Sequence, residues 1–207
     1  SSKPAEMVVD QIRQSGGDAL AVKVDCANEG EVGLLGIHPW MARKIDVLVL
    51  NHGAYNRVAA DELTIETLRE TMAVNFEGSV AVWKAIQPHL SDEARMVVVG
   101  SQLGTRGSPH GADYSASKAA LAVWARSLAQ QVGPEGKRVN ILAPGYVDTA
   151  ILAGDSQSKR EQRENEVPLK RVGTPEDMAS TIAFLVSDDS AYITGSIIHV
   201  NGGLYLP

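Results

Sequence analysis

Residues 95–118 read RMVVVGSQLGTRGSPHGADYSASK, and this stretch decides the fold. Its unbroken apolar start is typical of a strand that is buried on both faces and that ends at Gly100. The alanine-rich run that begins at Tyr114 predicts a helix as far as Val132, which Gly133-Pro134 ends. A buried strand followed by a helix is the repeating unit of a parallel sheet with crossover helices.

The same alternation of strand and helix extends in both directions from this unit. It predicts further strands at 19–24, 45–50, 138–143 and 197–200, and further helices at 4–15, 29–43, 64–90 and 175–186. The polar stretch 154–166 is compatible with an exposed helix or with a mobile flap. No repeat and no low-complexity linker divides the chain, so we expect residues 1–207 to form one α/β domain.

The composition excludes several classes of protein. The 207 residues carry 19 Lys and Arg against 25 Asp and Glu, a net charge of −6, and the basic residues are scattered. Non-specific nucleic-acid binding depends on concentrated positive charge and is therefore not expected. The longest apolar runs are far shorter than the roughly 18 residues that a membrane helix requires, so we expect no membrane span. A single cysteine, Cys26, excludes an internal disulfide framework, and the widely separated histidines give no metal-ligand spacing.

Polar or glycine-bearing residues follow four of the predicted strands. Ligands of an open parallel sheet collect at the carboxyl ends of its strands, where loop amides and helix N-termini point toward them. The residues at these ends are Asp25-Cys26, Asn51-His52-Gly53-Ala54, Ser101 and Pro144-Gly145-Tyr146-Val147-Asp148-Thr149. We therefore expect these four sets to surround a ligand.

Tyr114 and Lys118 stand four residues apart on the predicted helix, so both side chains lie on one helix face. A free tyrosine has a pKa of about 10, and an ammonium held nearby typically lowers it by about 1 to 3 units. Tyr114 would then exchange protons near neutral pH, while the Ser101 hydroxyl bonds the oxygen of a carbonyl or an alcohol. Hydride transfer from a nicotinamide is the matching reaction at carbon. The alternative is a surface lysine one turn from a half-buried tyrosine.

These residues, in their order along the chain, resemble the signatures of the short-chain dehydrogenase/reductase family. Ser101, Tyr114 and Lys118 resemble its serine and its Tyr-x-x-x-Lys pair. Leu50-Asn51-His52-Gly53 resembles its Asn-Asn-Ala-Gly stretch, and Thr194-Gly195 with Val200-Asn201-Gly202-Gly203 resembles its closing signature. The resemblance implies a Rossmann-like doubly wound parallel sheet in three α/β/α layers. Within the family, the chain is most similar to the 3-oxoacyl-(acyl-carrier-protein) reductases and their polyketide-reductase relatives.

The resemblance also implies a function and a set of site residues. It implies an NAD(P)-dependent oxidoreductase that interconverts a ketone and a secondary alcohol without a metal. The implied catalytic residues are Asn75, which holds a relay water, and Ser101, Tyr114 and Lys118. The implied cofactor-binding residues are Asp25, Cys26, Asn51, His52, Gly53, Tyr114, Lys118, Pro144, Gly145, Val147 and Thr149. We expect a small-molecule substrate, a homo-oligomer (dimer or tetramer) and a cytoplasmic location, with an organellar targeting segment left open.

The chain departs from the family pattern at its start. It contains no G-x-G-x-x-G or related glycine cluster, so the family's first strand, phosphate loop and second strand are expected to precede Ser1. Without them, we expect the chain to rearrange, to borrow strands from a partner or to lack ordinary catalysis, because buried strand edges would be unpaired. A non-catalytic scaffold with this fold is therefore the alternative function. The residues that select the cofactor follow the second strand in the family, and Ser1-Ser2 resembles the remainder of them; a serine there is compatible with the ribose phosphate of NADPH, which slightly favours NADPH over NADH.

Overall fold

One parallel sheet of four strands organises the molecule. The computed structural model describes residues 2–207, with the backbone alone for Ser2. The strands pair side by side in chain order and are β1 Ile45–Leu50, β2 Leu90–Val99, β3 Arg138–Pro144 and β4 Ile197–Val200. The predicted parallel α/β class is confirmed. Ser1 and the side chain of Ser2, on which the preference for NADPH depended, lie outside the described residues.

Helices lie between and around these strands. They are α1 Ser2–Gln14, α2 Glu29–Gly36, α3 Ile65–Met72, α4 Gly78–Ile86, α5 Leu103–Arg106, α6 Ala112–Val132, α7 Gln157–Glu166 and α8 Pro175–Val186. Helix α8 begins as the sequence predicts, because Thr174 forms a capping box with Asp177 and Pro175 occupies the first turn. The polar stretch at 154–166 contains helix α7, which Ser156 caps. Across residues 2–207, each helix is too short or too polar to cross a membrane.

Two apolar cores, one on each face of the sheet, give the molecule three layers. Alternate side chains of a strand point to opposite faces. In β2, Met96 and Val98 therefore pack in the first core with Leu121 of α6. Val97 points the other way and packs in the second core with Leu185 of α8. The three-layer arrangement that the sequence predicts is confirmed.

The segment 19–24 is not the strand that the sequence predicts. It has no regular secondary structure, and Leu20 and Val22 are 44% and 48% exposed. A strand requires a hydrogen-bonded neighbour, and within residues 2–207 no strand pairs with the outer edge of β1. The described strands nevertheless keep their sequential parallel order and are not rearranged.

The helix predicted at 64–90 is divided into two. A π-helical turn at Ala73–Glu77 separates α3 from α4, and a 3-10 turn at Gln87–His89 follows α4. Thr64 caps the start, as predicted, by accepting a hydrogen bond from Thr67 N at 3.1 Å. The helix predicted at 29–43 is likewise shorter, because α2 ends at Gly36 and only a 3-10 turn follows, at Pro39–Ala42.

Candidate active site

A cavity of about 460 Å³ opens at the carboxyl ends of the parallel strands. Asn51 and Gly53 reach it from the end of β1, Ser101 from the end of β2, and Tyr114 and Lys118 from α6. The end of β3 and the loop after it add Pro144, Gly145, Val147 and Thr149. Nine of the predicted site residues therefore line one cavity, at the position that an open parallel sheet favours for a ligand.

Lys118 is buried beside this cavity with only 3% of its surface exposed. Its Nζ donates a hydrogen bond to the main-chain oxygen of Val99 at 2.9 Å. Burial disfavours the charged form and lowers the pKa of Lys118 from its ordinary value of 10.5 to about 8. Gly53 allows this close packing, since a Cβ there would lie 3.2 Å from Lys118 Nζ.

Tyr114 lies next to Lys118, and the Lys118 Nζ is 5.8 Å from the centre of the Tyr114 ring. Burial raises the pKa of Tyr114 above its ordinary value, a hydrogen bond with Ser101 opposes this change, and the neighbouring Tyr55 adds to it. The lowered pKa that the sequence predicts for Tyr114 is therefore wrong, because the removal of the phenol from water is the largest influence on its pKa. Ser101 and Tyr114 both line this cavity.

Asn75 is completely buried in the π-helical turn, where it fixes the loop that follows β1. Its Oδ1 accepts from Ala54 N at 2.7 Å, and its Nδ2 donates to Ala54 O and to Ser117 Oγ, each at 3.0 Å. Ser117 Oγ in turn donates to the main-chain oxygen of Tyr114 at 2.8 Å. A continuous chain of hydrogen bonds thus connects the cavity loop to helix α6 at Tyr114. The relay water assigned to Asn75 stays a prediction.

Four predicted residues lie outside the cavity lining, namely Asn75 and the three described next. His52 is partly buried, its Nε2 lies 3.2 Å from Ser79 Oγ, and burial first, then the nearby ammonium, lowers its pKa. Asp25 is exposed, and Cys26 packs against α4, where a Cβ on Gly78 would lie 3.1 Å from the Cys26 Cβ. Their contact with a cofactor stays a prediction.

Tyr55, Arg57 and Arg163 line the cavity and are not among the predicted site residues. The Tyr55 and Tyr114 ring centres are 4.7 Å apart. Arg57 and Arg163 both bind the Asp155 carboxylate, with N–O distances of 3.3 and 2.6 Å. The sequence does hold a signal for Tyr55 and Arg57, which follow β1 in the strand-end loop. For Arg163 the signal is only that the polar stretch 154–166 is compatible with a flap, and tertiary packing brings α7 to the cavity.

The residues around Lys118 fit a nucleotide better than a metal ion. Among residues 2–207, no group of three or more His, Cys, Asp or Glu side chains is arranged to hold a metal. An ammonium has three N–H donors, and the described acceptor, Val99 O, takes one of them. Two remain for acceptor oxygens such as ribose hydroxyls. Gly53, Gly100 and Gly145 also line the cavity, and each lacks a side chain where the neighbouring residues pack closely.

Comparison with known proteins gives consistent matches over nearly the whole chain. The family model described as enoyl-(acyl carrier protein) reductase matches residues 2–205. The chain is 36% identical over 225 residues to a cyclohexanol dehydrogenase of Rhodococcus sp., which covers 99% of this chain and 79% of that protein. It is 32% identical over 210 residues to the 3-oxoacyl-(acyl-carrier-protein) reductase FabG of Staphylococcus aureus, covering 100% of this chain and 85% of that protein.

The fold is also similar to that of solved structures. A dehydrogenase/reductase from Sinorhizobium meliloti 1021 superposes with a TM-score of 0.92 and 31% sequence identity, over 100% of this chain and 82% of that chain. A short-chain dehydrogenase/reductase (glucose/ribitol dehydrogenase) from Brucella melitensis superposes with a TM-score of 0.88 and 29% identity, over 96% and 82% of the two chains.

Proposed function

The chain belongs to the short-chain dehydrogenase/reductase family of oxidoreductases, and from that premise we propose that it interconverts a ketone and a secondary alcohol with NAD(P)(H). The observation that carries this proposal is the meeting of Ser101, Tyr114 and Lys118 at one cavity. A hydroxyl, a phenol and a buried ammonium at one site are the groups that proton transfer to a carbonyl oxygen requires.

Each of these three residues has a distinct role in the proposed reduction. Ser101 donates a hydrogen bond to the carbonyl oxygen, and Tyr114 gives its phenolic proton to that oxygen as the carbon–oxygen bond becomes single. The nicotinamide, when bound, supplies the hydride to the carbonyl carbon. Lys118 then stabilises the Tyr114 phenolate, since its Nζ lies 5.8 Å from the ring centre. Because burial raises the pKa of Tyr114, the phenol is protonated and ready to donate at neutral pH.

The proposed cofactor would bind along the same cavity. Lys118 would hold the nicotinamide ribose, and the loop of Pro144, Gly145, Val147 and Thr149 would hold the carboxamide. We propose NADPH as the preferred dinucleotide over NADH. The serines Ser1-Ser2 in the sequence are the sole basis of this preference. An apolar wall that includes Leu103, Ile151 and Leu152 suits a small carbonyl compound with an apolar body.

Tyr114→Phe tests the assignment directly. The variant keeps the ring but has no proton to give, so we expect turnover of a ketone panel to fall by about a hundredfold or more. The dissociation constants of NADPH and NADH, measured by fluorescence titration, are expected to stay within about twofold, because Lys118 is unchanged. Turnover close to that of the wild type would refute the role of Tyr114.

The non-catalytic scaffold is the second candidate function. The same titration separates the two functions. Micromolar binding of either dinucleotide together with turnover supports the oxidoreductase. Binding of neither, in a protein that is folded by circular dichroism, supports the scaffold.

We also propose that the protein is a homo-oligomer, a dimer or a tetramer. Helix α6 exposes Val123 to 60%, and the neighbouring Trp124 packs edge to face on Trp83 with ring centres 6.2 Å apart. Apolar side chains on an outer helix face are typical of a subunit contact. Sedimentation velocity tests this, and a single monomeric species at micromolar concentration would overturn it.

A further inference from the structure

Tyr55 lies against Tyr114 inside the cavity. The two ring centres are 4.7 Å apart and the ring planes are tilted by 46°, which is a favourable geometry for an aromatic pair. Helix α6 fixes the backbone of Tyr114, so rotation of its side chain is the main freedom left to the phenol. A second ring packed on it restricts that rotation.

Tyr55 is itself held at both ends. At the backbone, the preceding residue Ala54 has its N–H and its carbonyl bound by Asn75, at 2.7 and 3.0 Å. At the far end, the Tyr55 hydroxyl donates to the main-chain oxygen of His110 at 2.8 Å. The ring is therefore anchored from two separate parts of the chain.

Gly111 leaves the space that the Tyr55 ring occupies, because it has no side chain. This residue caps the start of α6 with a φ of +153°, a conformation that favours glycine. A Cβ at this position would lie 2.5 Å from Cε2 of Tyr55. The ring therefore packs directly on the backbone at the start of the helix that carries Tyr114.

We propose that Tyr55 is a positioning residue for proton transfer, and that its ring holds the Tyr114 phenol beside Ser101 in the orientation that the reaction requires. The role rests on the proposed function of Tyr114. The aromatic ring of Tyr55, and not its hydroxyl, performs this positioning. The Tyr55 hydroxyl already donates its one proton to His110 O and has none to give to a substrate.

The same contact has an electrostatic consequence. Burial is the main cause that raises the pKa of Tyr114, and the Tyr55 ring packs against that phenol with ring centres 4.7 Å apart. Removal of the Tyr55 ring lets water reach the Tyr114 phenol, so the pKa of Tyr114 falls. Alcohol oxidation requires the phenolate, and the rising limb of its pH profile is therefore expected to move to lower pH.

Three variants test the proposal by steady-state kinetics in both directions. Tyr55→Leu removes the ring, and we expect kcat to fall about tenfold or more, the KM for the dinucleotide to stay within about twofold and the pH limb to shift downward. Tyr55→Phe keeps the ring and is expected to retain most of kcat. The rising limb of its pH profile is expected at the same pH as in the wild type. Tyr192→Leu is the control, because Tyr192 is fully exposed, and we expect no change in either quantity.

Two results would overturn the proposal. One is a Tyr55→Leu protein with wild-type kcat and an unmoved pH limb. The other is a Tyr55→Phe protein that loses as much kcat as Tyr55→Leu, which would transfer the role from the ring to the hydroxyl. Circular dichroism melting of the variants shows whether a loss of kcat comes from unfolding. If Tyr55→Leu is unfolded, the kcat of Tyr55→Phe is the test that remains, and a large loss there overturns the proposal.

A titration without substrate separates this proposal from the proposed function. Ultraviolet absorbance follows tyrosine ionisation, and the difference between wild type and Tyr114→Phe isolates the Tyr114 phenol. If the difference titration moves to lower pH in the Tyr55→Leu background while no ketone is turned over, the proposed function fails and the contact stands. If it does not move, the ring contact is refuted whatever the activity.

Discussion

Lys118 carries a charge that folding removes from water. A pKa lowered from 10.5 to about 8 means that folding disfavours the protonated form by about 3 kcal/mol at neutral pH. Lys118→Met removes this cost and gives up the hydrogen bond to Val99 O, so we expect the free energy of unfolding to rise by about 1–2 kcal/mol at neutral pH. Turnover is expected to be lost in the same variant. Urea unfolding and a ketone assay measure the two effects.

The pH dependence of this gain has a definite sign. Between about pH 8 and 10.5 the unfolded chain holds the Lys118 proton and the folded chain has released it, so wild-type stability rises with pH in this window. The advantage of Lys118→Met therefore shrinks as the pH rises. Lys84→Met, on an exposed position of α4, is the control and is expected to change stability by less than about 0.5 kcal/mol at each pH. A Lys118→Met protein less stable than the wild type at neutral pH contradicts this account.

At the scale of single residues, the sequence predicts which residues form the site better than it predicts their pKa shifts. Ser101, Tyr114 and Lys118 follow from a strand end and from a four-residue spacing, which are local features. The direction of the Tyr114 pKa shift does not follow from local features, because it depends on burial by distant parts of the chain. The contact of Tyr55 with Tyr114 escapes prediction for the same reason, although the position of Tyr55 after β1 is a local signal, because the two residues are far apart in sequence.

Among the elements, the segment from the end of β3 through α7 lines one side of the cavity. Ion pairs of Asp155 with Arg57 and Arg163 tie this covering segment to the loop after β1. The Asp155 side chain is 2% exposed between two guanidinium groups. Arg57 reaches it from the loop after β1 and also binds Ile151 O at 3.2 Å. Asp155→Asn keeps the shape and removes the charge, so we expect the covering segment to loosen and the KM for the ketone to rise by about threefold to tenfold. Steady-state kinetics at saturating dinucleotide measures the change.

Asp148→Asn is the matched control for this tie. Asp148 pairs with Arg160 at the surface, with half of its side chain exposed, and such pairs contribute little. We expect an unchanged KM in this variant. The pKa of Asp155 is lowered, first of all by its hydrogen bond with Arg163, so the tie is expected to persist through mildly acidic solution. It is lost only as the pH falls below the ordinary range of an aspartate. Equal KM values for the Asp155→Asn protein and the wild type would refute the tie.

Element boundaries show where sequence patterns end. The strands at 45–50 and 197–200 and the helix at 175–186 match the prediction because a short run of β-branched residues and a capping box are local features of the sequence. The π-helical turn at Ala73–Glu77 does not follow from periodicity, because one extra residue in a turn leaves the apolar pattern nearly unchanged. The segment 19–24 has a strand-like composition, but no described strand lies beside it to complete the hydrogen bonds.

Over the whole molecule, the second face of the sheet is covered unevenly. Helix α8 packs on β2 to β4, whereas Val47 and Val49 of β1 are 42% and 38% exposed on that face. Exposed valines on an edge strand favour association between copies. We therefore expect Val49→Lys to reduce concentration-dependent light scattering while it changes the free energy of unfolding by less than about 1 kcal/mol. Val123→Lys on α6 shows whether association uses the other apolar surface, and undiminished scattering of Val49→Lys would contradict the prediction.

The amide of Asn75 links the strand-end loop, the π-helical turn and helix α6 through both of its N–H donors and one acceptor site of its oxygen. Aspartate at this position would offer no donor to Ala54 O or Ser117, leucine would offer neither donor nor acceptor, and glutamine is longer by one methylene in a fully packed interior. The position therefore has almost no mutational tolerance. A change there disturbs the folding and the chemistry of the protein at once, since the same three bonds shape both.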